Sequence, residues 1–347
     1  ELSGANAAWE ARNHAYLALL QEDPARLARA ARRIFETVRY SADGGVREDY
    51  SYLFHGHIPY AGAYGSGFAE TVAQFMYLFD NTAWSASLAR RQLLVRLLLE
   101  HFRWVIVGGN WDPIVSGRVY DSLRRADGAL TAMLFMTRVQ HDNPQRLRGA
   151  AAALLAEGGV VDAGVAAFAD ALQSVPPEPP RGFRYWYTAD LGAWADARYH
   201  VSFRQYSRRV QDYEYLNRQG ARGWNLAYGF THISRSGREW FDGPRDAQPV
   251  ADMDWDHLPG TTSRVGAHPH NDDADPSSYG HSLNYGRSQY SGGAGLDDGG
   301  MAAFVLLPTY GDFQAHKSLS FFPGGFLSVG SEITAAAGAD STRPVHT

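Results

Sequence analysis

The residues able to do chemistry are densest between Asp49 and Gly67, which read DYSYLFHGHIPYAGAYGSG: two histidines, four tyrosines and four glycines. Histidine is the side chain that most readily exchanges a proton near neutral pH. A phenol ordinarily titrates near 10, and a neighbouring histidine or arginine that stabilises the phenolate makes it usable as a base. The residues alone do not say which histidine and which tyrosine would pair. They also fit an aromatic loop packed on a core. His55-Gly56-His57 has the look of a metal clip, but no carboxylate ligand is placed by spacing.

Three further segments carry polar residues in clusters. Asn110 to Arg125 (NWDPIVSGRVYDSLRR) holds Arg118 just after a glycine, then Arg124 and Arg125. Tyr213 to Trp224 (YEYLNRQGARGW) places Glu214 and Asn217 on an expected turn. His268 to Asp275 (HPHNDDAD) resembles a ligand set, yet its Gly/Ser/Asn/Asp-rich surroundings predict a solvated loop. Trp255 to Thr262 (WDHLPGTT) reads as a structural turn between strands. Of 32 basic residues only Lys317 is lysine, and it lies in no phosphate-loop or Schiff-base motif. The absence of cysteine excludes thiolate metal sites, disulfides and thiol nucleophiles.

Elements must hold these groups in place. The 347 residues, 45% hydrophobic and with net charge −5, suit a globular chain of two domains. No window approaches the roughly 18 apolar residues a membrane span needs. From about Leu2 to Leu172 the apolar residues recur at helical spacing. Asp23-Pro24 and Asn143-Pro144 each read as an N-cap with a first-turn proline. Ala69 to Phe79, Ser87 to Val105 and Val160 to Leu172 are expected helices. The proline-rich stretch 174–182 reads as a linker. Beyond it the period falls to two, at Tyr199, Val201 and Phe203, at Leu226, Tyr228 and Phe230, and in short runs from Met301 onward. Residues 263–298 read as a long irregular loop. The expected fold is therefore α+β and multidomain. An α/α toroid of helical hairpins over 1–173 precedes an antiparallel β-sandwich over 183–347, both expected to be incomplete because the pattern starts and stops abruptly.

In order and spacing these segments resemble polysaccharide lyase family 8, the hyaluronate, chondroitin and xanthan lyases. SGANAAW is similar to the family's Thr-Gly-Ala-Asn segment, and HGHIPYAGAYG to its loop with a tyrosine nine residues after a histidine. SGR, YEYLN, WDHLPGTT and HKSLSFF match further landmarks. The resemblance assigns catalytic roles to Asn6, His55, Tyr64, Arg118 and Glu214, with Asn217 contacting sugar. The family's second arginine, one helical turn after the first, is here Ser122. Arg124 and Arg125 are the nearby candidates to replace it as substrate-binding groups.

The reaction so implied is β-elimination on a uronic acid. Removing a proton α to a carboxylate requires that carboxylate to be neutralised, the role of Asn6 and His55. Tyr64 would take the C5 proton and return one to the leaving oxygen, with Arg118 beside it and Glu214 orienting the site. A division with His55 as the base stays open. No metal or other cofactor is expected. The expected partner is an anionic polysaccharide, glycosaminoglycan before xanthan, with neither nucleic acid nor membrane bound, for a monomer outside the cytoplasm (secreted or periplasmic). Arg118, Arg124, Arg125, Arg204, Arg208 and Arg209 are candidate sources of positive potential despite the net negative charge. Two rival readings are a hydrolase using Asp112 and Glu214 as paired carboxylates, and a glycan-binding fragment without turnover.

Overall fold

The computed structural model describes residues 2–217, 219–240, 253–266, 284–309, 311–336, 338–339 and 342–347. The chain divides into two compact units. One comprises Glu1–Gly56, Tyr60–Trp111 and Arg124–Pro180, and the other His57–Pro59, Asp112–Leu123 and Arg181–Thr347.

The first unit contains helices α1 (Gly4–Leu20), α2 (Pro24–Glu36), α3 (Ser66–Leu78), α4 (Leu88–Glu100), α5 (Asp127–Met136), α6 (Pro144–Ala156) and α7 (Ala166–Asp170). Its short strands are β1 (Gly45–Val46), β2 (Tyr52–Phe54), β4 (Ile106–Val107) and β5 (Asn110–Trp111). Asp23 caps α2 by accepting from the Arg26 N–H at 2.8 Å, as the Asp-Pro pair predicts. The buried face of α1 consists of Gly4, Ala5, Ala7, Ala8, Ala11, Ala15 and Ala18, small side chains that let α2 approach closely. Asn143 starts α6 without a side-chain cap. Its amide is turned instead to Asp142, at 2.6 Å. The helix expected over Val160 to Leu172 shrinks to a 3-10 turn at Ala163–Val165 and the five residues of α7. Asp162 is the cap, accepting from the Gly164 N–H at 2.7 Å, while the Val160 N–H is taken by Asp127 Oδ1, so the helical turn starts after Asp162 and not at Val160. Between β4 and β5, Gly108 and Gly109 both adopt positive φ, at 56° and 72°, which a two-residue hairpin turn of this hand requires.

The second unit contains β3 (Ile58–Pro59) and two four-stranded antiparallel sheets. One runs β6 (Gly182–Trp186), β7 (Leu191–Ala195), β8 (His200–Arg204) and β9 (Thr231–Ser234). The other runs β11 (Ser291–Leu296), β12 (Gly299–Leu306), β13 (Phe313–Phe322) and β14 (Gly325–Ala335). A short pair, β10 (Ser263–Arg264) with β15 (Val345–His346), lies apart from both. Strand β13 alternates buried and partly buried residues along most of its length, the mark of one face on a core. Trp194, Val201, Phe203, Ala302, Leu319 and Phe321 form that core, with Phe183 and Tyr185 packed against it.

Two expectations fail in this unit. Leu226 and Tyr228 are not in a strand: Gly223–Ala227 is a 3-10 turn, and β9 starts only at Thr231. Tyr228 is buried outside a pleat, in a cluster with Tyr206, Val210, Phe304, Leu306 and Phe313. Residues 263–298 are not wholly irregular, since β10 and β11 lie within them. The SGGAGL of β11 has the composition of a loop because its sheet is pressed on by aromatics. A Cβ at Gly293 would come within 2.6 Å of the Tyr185 ring, and one at Gly295 within 3.4 Å of Phe183. Glycine there serves close approach, not flexibility.

Candidate active site

In the helical unit, His55 follows β2 in the left-handed region at φ 50°, and Gly56 comes next at φ 85°. A non-glycine residue there is uncommon and is held by its surroundings. Six residues later the chain makes a π-helical turn, Ala61–Gly65, closed by the Gly65 N–H to the Tyr60 carbonyl at 2.9 Å. Such turns often mark functional positions. Tyr64 rides on this one. Its ring centroid lies 4.7 Å from that of His55, 5.1 Å from Tyr60 and 4.5 Å from Phe54. Trp9 of α1 stacks on it at 5.6 Å, 26° from parallel.

Glycines make room for this cluster. A Cβ at Gly65 would stand 3.0 Å from Tyr52 and 3.1 Å from Phe102, and one at Gly67 would stand 2.9 Å from Trp9. The Trp9 indole donates to the Gly67 carbonyl at 3.3 Å. The start of α1 presses on the same loop: Gly4 sits at φ 49°, and a Cβ there would come within 2.8 Å of the Phe54 ring. Asn6 follows in the first turn of α1, on the face it shares with Trp9 at i, i+3. It is half-buried, and its amide has no hydrogen-bond partner among the described residues, so it is open to a ligand. Tyr52 is fully buried, and burial pushes its hydroxyl far above the ordinary tyrosine range, which removes it from proton transfer.

Arg124 donates from Nε to the Gly62 carbonyl, at 3.2 Å, inside the π-helical turn. Partial burial pulls its guanidinium below its usual value, opposed by the nearby Tyr60. Arg125, by contrast, is exposed and committed to Asp127 at 3.2 Å and to the Gly158 carbonyl at 2.5 Å. Of the two, Arg124 stands against the tyrosine-bearing turn.

In the sandwich unit, Arg118 pairs through Nη1 with Glu214 Oε2 at 2.9 Å, and its Nε donates to Gln219 Oε1 at 3.1 Å. Glu214 is 1% exposed. Gly220, at φ 83°, lies against both: a Cβ there would stand 2.8 Å from that of Arg118 and would overlap the Glu214 carbonyl. Asn217 is exposed, at φ 55°, on the tip of the same loop. Gly223 abuts Tyr120, whose hydroxyl accepts from the Arg222 N–H at 2.9 Å. Trp9, Tyr60, Gln219 and Tyr120 carry no functional assignment from sequence. The signal available for Trp9 is its i, i+3 spacing from Asn6, and for Gln219 its place in the Glu214 loop.

Both carboxylates of the hydrolase reading are committed within the fold. Asp112 Oδ1 accepts from the Ile114 N–H at 3.0 Å, and Oδ2 accepts from Ser202 at 2.6 Å and meets His232 Nδ1 at 3.0 Å. Two of the sandwich arginines expected to supply potential, Arg204 and Arg209, are used internally, while Arg208 is exposed. Arg204 is buried, donates to the Gln211 carbonyl at 3.0 Å and is pulled down to about 10 by burial, with Asp212 opposing. Arg209 pairs with Asp190 at 2.5 Å. Arg208 donates to the Arg287 carbonyl. The His57 ring packs on Tyr285 at 5.6 Å. Among the described residues no group of three or more histidines and carboxylates is arranged to hold a metal, and 268–275 lies outside them. A cavity of about 370 Å³ lined by Tyr290, Val305, His316, Ser318, Val329 and Ser331 contains none of the candidate residues.

A helical domain followed by a sheet-rich sandwich is the domain plan of a family of polysaccharide lyases. Family models agree. Polysaccharide lyase family 8, N terminal alpha-helical domain, matches residues 1–146 and the family's super-sandwich domain matches 181–347. The chain belongs to polysaccharide lyase family 8, a family of enzymes. It is 25% identical over 280 residues to the xanthan lyase of Bacillus sp. (strain GL1), covering 75% of this chain and 30% of that one. It is 25% identical to the chondroitinase-AC of Pedobacter heparinus, covering 99% of this chain and 45% of that one. The structure of Paenibacillus xanthan lyase superimposes with a TM-score of 0.82 at 19% identity, over 97% of this chain and 33% of that one, a likeness of fold. The chain thus spans less than half the length of these relatives.

Proposed function

We propose that this chain carries the elimination chemistry of a lyase that cleaves a uronic-acid-containing anionic polysaccharide, with glycosaminoglycan as the substrate class. The observation that carries the reading is the ring contact of 4.7 Å between His55 and Tyr64, on a turn where Trp9, one helical turn after Asn6, stacks on the Tyr64 ring. Asn6 and His55 bind the uronate carboxylate and neutralise it, so that charge can develop there in the transition state. Tyr64 takes the C5 proton. The C4–O bond then breaks, the C4–C5 double bond forms, and Tyr64 returns a proton to the leaving glycosidic oxygen. Arg118, held by Glu214, assists Tyr64, and Asn217 and Arg124 contact the sugar. Arg125, tied to Asp127, is the weaker candidate for the missing second arginine.

The glycosaminoglycan class is favoured over xanthan because the match to chondroitinase-AC extends over 99% of the chain, against 75% for the xanthan lyase. Such a polymer is met outside the cytoplasm, which supports reading the chain as secreted or periplasmic; we take it to act as a monomer. The test is ultraviolet absorbance during separate incubations with hyaluronan, chondroitin and xanthan. A rise with a glycosaminoglycan supports the reading, and a rise with xanthan alone moves the substrate class. New reducing ends without absorbance mean hydrolysis, and binding without any product means a glycan-binding protein.

A further inference from the structure

Asp112 and His232 have no role in the elimination proposed above, yet they form a buried, hydrogen-bonded polar pair in the sandwich unit. Asp112 is 2% exposed and His232 7%. Asp112 opens the 3-10 turn Pro113–Val115. Ser116 closes it, donating from Oγ to the Asp112 carbonyl at 3.1 Å. Gly117 follows at φ 59°, and Arg118 is next. The carboxylate reaches two strands of the sheet, Ser202 on β8 and His232 on β9.

Arg118 is therefore braced on two sides. Ahead of it stand Glu214 and Gln219, and behind it the turn anchored by Asp112. Nothing apolar would hold a six-residue segment of this kind in one register with comparable direction, because a charge-assisted hydrogen bond fixes angle as well as distance. His232 packs against the rings of Phe230 at 6.2 Å and Trp240 at 6.1 Å, which contact each other at 5.0 Å. Its Nε2 is buried without a partner among the described residues, so Asp112 is its principal polar contact. Burial opposes ionisation of both groups, yet their mutual attraction, with His200 and Ser202 at Asp112 and Glu239 at His232, lowers the Asp112 carboxyl and raises the His232 imidazole.

We propose that Asp112 and His232 are positioning residues for Arg118, setting the guanidinium through the 112–117 turn. This rests on the reading of Arg118 as a group that assists elimination. Two measurements separate the failure of one from the failure of the other. The first is elimination kinetics of D112N, S202A, H232L, H232N, R118A and the D112N/R118A double variant. D112N and H232L are expected to lower kcat by about tenfold or more with KM changed less than about threefold, since an interaction used in the transition state is lost. H232N, whose amide can donate in place of Nδ1, is expected to recover most of what H232L loses. In the R118A background D112N is expected to cost nothing further, because the two act through one group. A D112N loss that persists in full in that background overturns the proposal.

The second measurement is the Arg118 Nε–H resonance in a nitrogen-15 spectrum, assigned by its loss in R118K. It needs no turnover. The signal is expected to move in D112N, S202A and H232L and to stay near its wild-type place in H232N. An unmoved signal in folded D112N and S202A overturns the proposal even if the wild type proves to be no lyase. Should D112N fail to fold, S202A, which deletes one hydroxyl, still decides.

Discussion

The indole of Trp9 lies over the phenol of Tyr64, 5.6 Å between centroids and 26° from parallel, and the indole is itself fixed by the Gly67 carbonyl. Stacking therefore sets the plane in which Tyr64 can present its hydroxyl.

Trp9→Ala removes that plane. An aromatic pair contributes about 1 kcal/mol beyond its buried area, so the variant should unfold at a lower urea concentration. It should also eliminate more slowly, whereas Trp9→Phe should recover part of both. Equal elimination rates for wild type and Trp9→Ala would remove any orienting role for the stack.

Tyr64→Phe tests the chemistry with the stack left in place. The ring contacts to Trp9, Phe54 and His55 need no hydroxyl, so stability should stay near wild type. Positioned acid–base groups contribute roughly 10²–10⁴-fold, and elimination should fall by that order. Oligosaccharide binding by calorimetry should change little. A variant that still produced double bonds at near-wild-type rate would make His55 the base.

Glu214→Ala leaves the Arg118 guanidinium, 11% exposed as a side chain, without its carboxylate. Breaking a buried pair from one side costs about 3–5 kcal/mol. The double variant with Arg118→Met should be less destabilised than Glu214→Ala alone, because the buried charge goes too. Urea midpoints of the three proteins decide it, and a double variant as unstable as the sum would place the loss elsewhere.

Lys317 gives a pH signature. Its ammonium group is buried, donating to Thr262 at 2.9 Å and Thr347 at 3.1 Å, and burial lowers it from 10.5 to about 8. Below pH 8 the folded and unfolded chains both carry the proton, and the burial penalty is present in full. Between 8 and 10.5 the folded chain releases it first, so stability rises with pH through that window and levels above it. The rise should be about 3 kcal/mol and should be missing from Lys317→Met. Urea midpoints of both proteins from pH 7.5 to 10.5, compared as a difference, test this; parallel curves would show that Lys317 titrates normally.

Particular residues show what a one-dimensional reading can and cannot reach. Asp23 capping α2 and the alternation along β13 are legible because each is a local rule, a side chain answering a nearby backbone donor or a period set by the pleat. Apolar spacing alone predicts a helix from Val160, because it does not show that Asp127 takes the Val160 N–H and that the cap is Asp162. Strand β11 has the composition of a loop because its glycines answer to Phe183 and Tyr185, more than a hundred residues away in sequence. Among the candidate residues, resemblance points to His55, Tyr64, Arg118 and Glu214, and within the separate units the fold pairs the first two rings and the last two charges.

Composition and periodicity by themselves determined an α-helical domain followed by a β domain, while the candidate residues were named only by the resemblance of the ordered motifs to polysaccharide lyase family 8. Those properties follow from local propensity and from residue identity. Which arginine stands against the tyrosine-bearing turn, that Asp112 is bonded to Ser202 and His232, and that Trp9 stacks on Tyr64 were decided only by tertiary structure. Each depends on which distant side chains burial brings within hydrogen-bonding or stacking reach, and no spacing along the chain encodes that distance.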